Sequence, residues 1–260
     1  MSVIYISTDG MRPDALAAAE TPNFHKVMAQ GSYTLKAQSV MPSITLPCHM
    51  STFHSIPPER HGILTNSYTP MVRPVKGLID LLNDAGKRSA TFLSWEPLRD
   101  LNRPSSLSHS SFIAYQHNPY TSDGRVVDAA LRYMPEDNFD FSFVYLGAMD
   151  EVGHDYGWMS QRYLEQVEHS DMLLGKILEI LSPDSTLIIH SDHGGAGRNH
   201  GTNSPEDMTI PWMIMGPNIK INHQLESPVS LLDTAPTIAH IFGLKPPLAW
   251  EGQVVREAFI

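Results

Sequence analysis

The chain has 260 residues, enough to bury a large core in one domain. Its residues are 42% hydrophobic and 18% charged, which excludes a disordered chain, and a formal net charge of -10 disfavours a diffuse binder of nucleic acid or anionic membrane. One cysteine, Cys48, excludes an intramolecular disulfide and a cysteine-rich zinc site.

Residues 3–7 are a short apolar, β-prone run that stops at Asp9-Gly10 and reads as a buried strand. Residues 21–30 read as a helix, with Thr21 as cap, Pro22 in the first helical position and Gly31 beyond the end. A strand follows over 37–41, ending before Pro42, and then a helix over 45–53, where Pro47 is tolerated in the first turn. The pattern next predicts a helix over 75–85 closed by Gly86, a strand over 89–93, and a surface loop over 102–111, rich in Ser, Pro and Asn. A helix over 124–133, a strand over 141–146 and the longest helix, 162–181, come next. The last elements are a strand over 186–190, a strand over 212–215 stopped by Gly216-Pro217, and a helix over 231–242 closed by Gly243.

Strands alternate with helices, and most strands are continuous apolar runs, as parallel strands buried on both faces are. No internal repeat or linker is visible. The expected fold is one α/β domain over 1–260, a three-layer sandwich around a mostly parallel sheet. No stretch approaches 18 uninterrupted apolar residues and the N-terminus lacks the features of a secretory signal, so a cytoplasmic protein without a membrane span is expected.

In an open α/β sheet ligands bind beyond the carboxyl ends of the strands. There the sequence offers Asp9-Gly10, Thr45 to His49, Asp150 with His154 four residues on, Asp192-His193-Gly194-Gly195, and His200. Each group alone has an ordinary structural explanation: a turn, a helix cap, a chance pair. Together they gather carboxylates and imidazoles on one edge. Three carboxylates in one place repel unless cations neutralise them, and Asp with His suits Zn²⁺, with Mn²⁺ as the alternative. Six ligands divide into two sets of three. Three aspartates and two divalent ions leave a net charge of about +1, which suits a phosphoryl group.

In order, these segments resemble the alkaline phosphatase superfamily, and within it the nucleotide pyrophosphatase/phosphodiesterase branch. The resemblance rests on residues 4–14, 42–49, 58–63, 150–157, 192–194, 200–201 and 233–238. It implies an alkaline-phosphatase-like core and a phosphodiesterase or pyrophosphatase acting through two metal ions. It further implies that Asp9, Asp192 and His193, with Thr45, hold one ion, and that Asp150, His154 and His200 hold the other. Thr45 would be the nucleophile, through a phospho-threonine intermediate. The branch usually has Asn at the position of Cys48, where its amide is expected to hold a phosphate oxygen. A thiol is a weak donor, so Asn66, Arg198 and Asn199 are the candidate replacements.

A sulfatase is disfavoured, because Thr45 and His49 replace the Cys/Ser and Arg of that branch's motif. A phosphomonoesterase or phosphonate hydrolase on the same scaffold is the alternative function, and a non-catalytic metal-binding domain is the third. The expected partner is a small phosphorylated substrate, not a nucleic-acid polymer or a membrane, with self-association left open. The motifs occupy nearly the whole chain, so no large cap domain is expected. Segments 66–74 and 102–120 are then the candidate lids over a shallow site. Among the remaining residues, Arg12 is expected to pair with Asp14, and His49 and His61 to be structural hydrogen-bond formers. His117 is read as a surface residue. Tyr156 and Trp158 are candidates for an aromatic wall, and Tyr156 a substrate contact.

Overall fold

Phe141, Phe143 and Tyr145 point to one side of a strand, and Ser142, Val144 and Leu146 to the other, yet all six are buried. A strand with two buried faces must lie inside a layered structure. The computed structural model, which describes residues 1–114 and 118–260, has this arrangement. His117 and part of the 102–120 segment lie outside the described residues.

Eight strands form one sheet: β1 (Ser2–Thr8), β2 (Ser32–Gln38), β3 (Ser89–Leu93), β4 (His109–Phe112), β5 (Phe141–Leu146), β6 (Ser185–His190), β7 (Thr209–Met215) and β8 (His223–Gln224). Their order is β4-β3-β5-β1-β6-β7-β2-β8. All neighbouring pairs are parallel except those β7 makes with β6 and β2. The helices are α1 (Ala15–Ala18), α2 (Pro22–Gln30), α3 (Thr45–His54), α4 (Pro58–His61), α5 (Leu78–Asp84), α6 (Pro119–Asp137), α7 (Ala148–Tyr156), α8 (Gln161–Glu179), α9 (Pro205–Met208) and α10 (Thr234–Ile241).

Alternation along β1 sorts the core into two halves. Val3 and Tyr5 join a cluster with Leu46 and Phe53 of α3, Leu78 of α5 and Ile238 of α10. Ile4 and Ile6 face Phe24 of α2, Val126 of α6 and Val167 of α8. The sheet is therefore covered on both faces, and the expected three-layer α/β sandwich is present. Among the described residues no helix is long and apolar enough to cross a membrane.

Three expectations are corrected. The strand expected over 37–41 is β2, which starts at Ser32 and ends at Gln38; its first half, Ser-Tyr-Thr-Leu-Lys, has too few apolar residues to stand out. Within the loop expected over 102–111 lies the start of β4, a sheet-edge strand with alternating half-exposed residues and no apolar run. The helix expected over 75–85 is the shorter α5, which begins after Gly77.

Candidate active site

The sheet order explains why the distant motifs meet. β5, β1 and β6 are adjacent and parallel, so their carboxyl ends lie side by side. Asp9 follows β1, Asp150 sits in the first turn of α7 after β5, and Asp192-His193 follow β6. Thr45 arrives from β2, two strands from β6, through a segment that Ser39 ties down by donating its hydroxyl to the Asp192 carbonyl.

Three of these side chains converge on a nitrogen of a fourth. His193 Nε2 lies 3.3 Å from Asp9 Oδ1, 3.4 Å from Asp192 Oδ2 and 3.3 Å from Thr45 Oγ1. The second set stands beside it: Asp150 is 3.4 Å from His154 Nε2 and 3.5 Å from His200 Nε2. The His193 and His200 rings stack at 3.8 Å, which joins the two sets. The sets differ in access. Asp9, Thr45, Asp192 and His193 are all buried, whereas the His154 side chain is 38% exposed.

Two observations fit divalent ions at these positions. First, Asp9 Oδ1, Asp150 Oδ1 and Asp192 Oδ2 are buried and have no hydrogen-bond partner among the described residues. Leaving three carboxylate oxygens unsatisfied is costly unless a cation fills the space. Second, each of the three histidines donates its Nδ1–H to a backbone carbonyl: His154 to Arg198, His193 to Gly194 and His200 to Ser43, at 2.8–3.0 Å. That bond turns every Nε2 toward the carboxylates, where it can bind a metal once it carries no proton.

The metal-free charges are poised accordingly. Burial, then the fields of Asp192 and Asp150, push the Asp9 carboxyl well above the usual range. Burial also raises Asp192, against the pull of His49. Burial acts to raise Asp150 too, but the hydrogen bond from His154 and the fields of His193 and His200 outweigh it and hold it low. His154, bonded to Asp150, is raised to about 9.

Several supporting residues were not assigned a role from sequence. Tyr145 donates its hydroxyl to Asp9 Oδ2. Its register opposite Ser7 in β1 puts it on the face below Asp9, a relationship visible only once the strands are paired. His49 was expected to be structural, and it is: Nδ1 lies 2.8 Å from the Thr45 carbonyl and 3.5 Å from Asp192 Oδ2, and Nε2 is 3.0 Å from Ser7. His61 bonds Ser51 and the Ile63 amide, and Arg12 pairs with Asp14, both as expected.

Trp158 packs beside the candidate ligand histidines, whereas Tyr156 is turned to solvent. Trp158 is buried, donates to the Gly10 carbonyl at 2.8 Å and stands edge-on to His154. Tyr156 is 55% exposed. Gly153 and Gly195 make room for the indole, since a β-carbon would meet it at 2.7 Å and 2.3 Å.

The Cys48 thiol faces the core, not the candidate ligands. It is fully buried against Ser39, 3.3 Å away. Asn66 is the group beside Thr45: its Oδ1 accepts from the Leu46 amide at 3.0 Å, in the first turn of α3. Arg198 contributes its carbonyl to His154, while its side chain is exposed, as is Asn199.

Asn66, which opens the first expected lid segment, stands beside Thr45, but much of the described remainder lies elsewhere. Tyr68 to Pro74 and Asn102 to Pro104 instead flank a cavity of about 400 Å³ that also touches Met50 and His54, and no member of the ligand set lines it. His54 lies nine residues along α3 from Thr45, about 13 Å by helical rise.

Comparison with known proteins agrees with this geometry. Residues 3–224 match the model of the type I phosphodiesterase/nucleotide pyrophosphatase family. A pyrophosphatase/phosphodiesterase of Schizosaccharomyces pombe, itself uncharacterised, is 27% identical over 218 residues, covering 75% of this chain and 45% of that protein. Human ectonucleotide pyrophosphatase/phosphodiesterase family member 7 is 25% identical, covering 74% of this chain and 47% of that one. A phosphopentomutase of Clostridium perfringens is 36% identical over 135 residues, 52% of this chain and 33% of its own. The chain thus spans less than half the length of these curated relatives. Among solved structures, murine ectonucleotide pyrophosphatase/phosphodiesterase 5, an inactive variant in complex with AMP, superposes over the whole of both chains with a TM-score of 0.84 at 16% identity. A phosphonate monoester hydrolase from Silicibacter pomeroyi gives 0.78 at 15% identity, covering 98% of this chain and 76% of that one. With its motifs in order, its sheet assembled and most of its length matched, the chain belongs to the type I phosphodiesterase/nucleotide pyrophosphatase family of the alkaline phosphatase superfamily.

Proposed function

We propose that the protein is a two-metal phosphodiesterase or nucleotide pyrophosphatase that works through a phospho-Thr45 intermediate. The observation that carries this reading is the meeting of Thr45, Asp9 and Asp192 within 3.4 Å of His193 Nε2, beside the Asp150, His154 and His200 set. Asp9, Thr45, Asp192 and His193 would hold one ion, and Asp150, His154 and His200 the other. The Asp/His donors favour zinc, with manganese as the alternative. Such ions would neutralise the three carboxylates, acidify the Thr45 hydroxyl and attract the oxygens of a phosphoryl group.

The chain's own residues do the rest. Thr45 is the first residue of α3, where the helix N-terminus favours an alkoxide and a phosphate. Asn66, fixed by the Leu46 amide, presents its NH₂ as a donor for a phosphate oxygen. The Thr45 Oγ1 bonds to phosphorus as the bond to the leaving oxygen breaks; water then cleaves the Oγ1–phosphorus bond and restores the threonine. The inactive murine relative carries a threonine-to-alanine change, which supports a threonine in this role. The more exposed His154 side gives the substrate its approach.

Metal analysis and a paired assay with an aryl phosphate diester and monoester test this reading. About two transition ions per chain and a diester preference are expected. A protein that binds no divalent ion would overturn the mechanism, and a monoester preference would replace the diesterase with the phosphomonoesterase alternative.

A further inference from the structure

Helix α7 carries Asp150 in its first turn and His154 one turn later, so the placement of this helix sets half of the site. Its N-cap residue is Gly147, which has no side chain to accept the first free amides. The glycine has a reason to be there. A β-carbon at Gly147 would meet the Tyr145 ring at 2.7 Å, and that ring carries the hydroxyl bonded to Asp9. Space below α7 is thus given to the support of the other half of the site.

The missing cap comes from a different helix. Asp123, in the second turn of α6, is fully buried. Its Oδ1 accepts from the Gly147 amide at 3.0 Å and its Oδ2 from the Ala148 amide at 3.2 Å. Burying a carboxylate is costly: burial pushes Asp123 up to about 7, opposed by these two amide bonds. Elsewhere the chain caps helices more cheaply, with Ser160 at α8 and Ser204 at α9, each acting on its own helix.

We propose that Asp123 is a positioning residue for Asp150 and His154: its buried carboxylate anchors the start of α7 from α6, so that Gly147 can stay bare above Tyr145 and the two halves of the site hold their spacing. The inference rests on the two-metal reading. It goes beyond that reading in giving Asp123, which touches no ligand, control over one ion and not the other.

A second buried carboxylate supplies the control. Asp171 of α8 accepts the Asn23 and Phe24 amides at the start of α2, a helix that carries no residue of the site. Asp123→Asn and Asp171→Asn both remove a buried tertiary cap. Zinc stoichiometry and affinity of the full chain are measured by competition with a chromophoric chelator, alongside thermal melting. The expected result is that both variants melt earlier than wild type, while only Asp123→Asn binds one of its two zinc ions at least tenfold more weakly. Asp123→Ser, made in parallel and read the same way, serves if the asparagine variant does not fold. Wild-type zinc affinity in a folded Asp123 variant, or an equal loss in Asp171→Asn, overturns the inference and leaves the two-metal reading standing. A wild-type protein that binds neither zinc nor manganese overturns both.

Discussion

Thr45 Oγ1 and His193 Nε2 stand 3.3 Å apart, although 148 residues separate them. The N-cap position of α3 is Ile44, and it is Asn66, not Thr45, whose side chain accepts the Leu46 amide. The hydroxyl instead faces the carboxylates of Asp9 and Asp192 across the sheet edge. Thr45→Ala is therefore expected to lower diesterase turnover at least about 1000-fold while metal content stays at wild-type level. Thr45→Ser should keep measurable turnover. An alanine variant that remains fully active would show that another group attacks phosphorus.

Asn66 and Cys48 make opposite predictions. Removing the Asn66 amide should reduce kcat by about 100- to 1000-fold, as for one donor to a developing oxyanion. Cys48, within α3, is buried against Ser39 and should be replaceable by Ser with kcat changed less than about threefold. Steady-state kinetics on an aryl diester decide between them, and a large loss in Cys48→Ser would restore position 48 to the site.

Gly195 lies against Trp158, whose ring stands next to His154 and His200. Gly195→Ala would drive a β-carbon to 2.3 Å from the indole, a contact that must be relieved by movement. Overpacking of this kind costs about 1–3 kcal/mol. Denaturant unfolding should show that loss, together with weaker retention of the ion assigned to Asp150, His154 and His200. Unchanged stability would mean that the indole moves freely.

The Asp150–His154 pair gives a pH dependence whose sign can be worked out. His154 titrates near 9 in the metal-free fold, above its ordinary value of about 6.5. A raised histidine contributes stability fully below the unfolded pKa, and that contribution fades as pH rises through the folded one. In chelator-treated protein, His154→Gln should thus melt earlier than wild type at pH 6, and the gap should close near pH 10. A gap that widens with pH would contradict the assignment. The same proton must leave when a metal binds, so zinc addition at neutral pH should release protons.

The legibility of the molecule from sequence follows burial. Residues 141–146 read as a strand because all six are buried and β-prone, and the structure has the same limits. β4 was missed because His109 to Phe112 alternate at the rim of the sheet and form no apolar run. The candidate ligands were legible because carboxylates and imidazoles after buried strands serve no packing need. Their supports were not. Tyr145 looks like any aromatic in a core strand, and Asp123 like any polar residue near a helix start, until β5 is set against β1 and α6 against α7.

By itself, the sequence determined the α/β character, the candidate ligands and the order of the motifs, because these depend on local periodicity and on residue chemistry. Tertiary structure alone decided which groups share a point in space. Pairing β5, β1 and β6 in parallel brought three aspartates from distant segments onto one edge. It left Cys48 inside the core and Asn66 beside Thr45, and packed Trp158 against His154 and His200. It also set Tyr68, Met71 and Arg103, from the expected lid segments, around a cavity beside His54 at the far end of α3. Such placements depend on strand register and on space between helices, which are properties of the packed chain and have no signature in any local stretch of sequence.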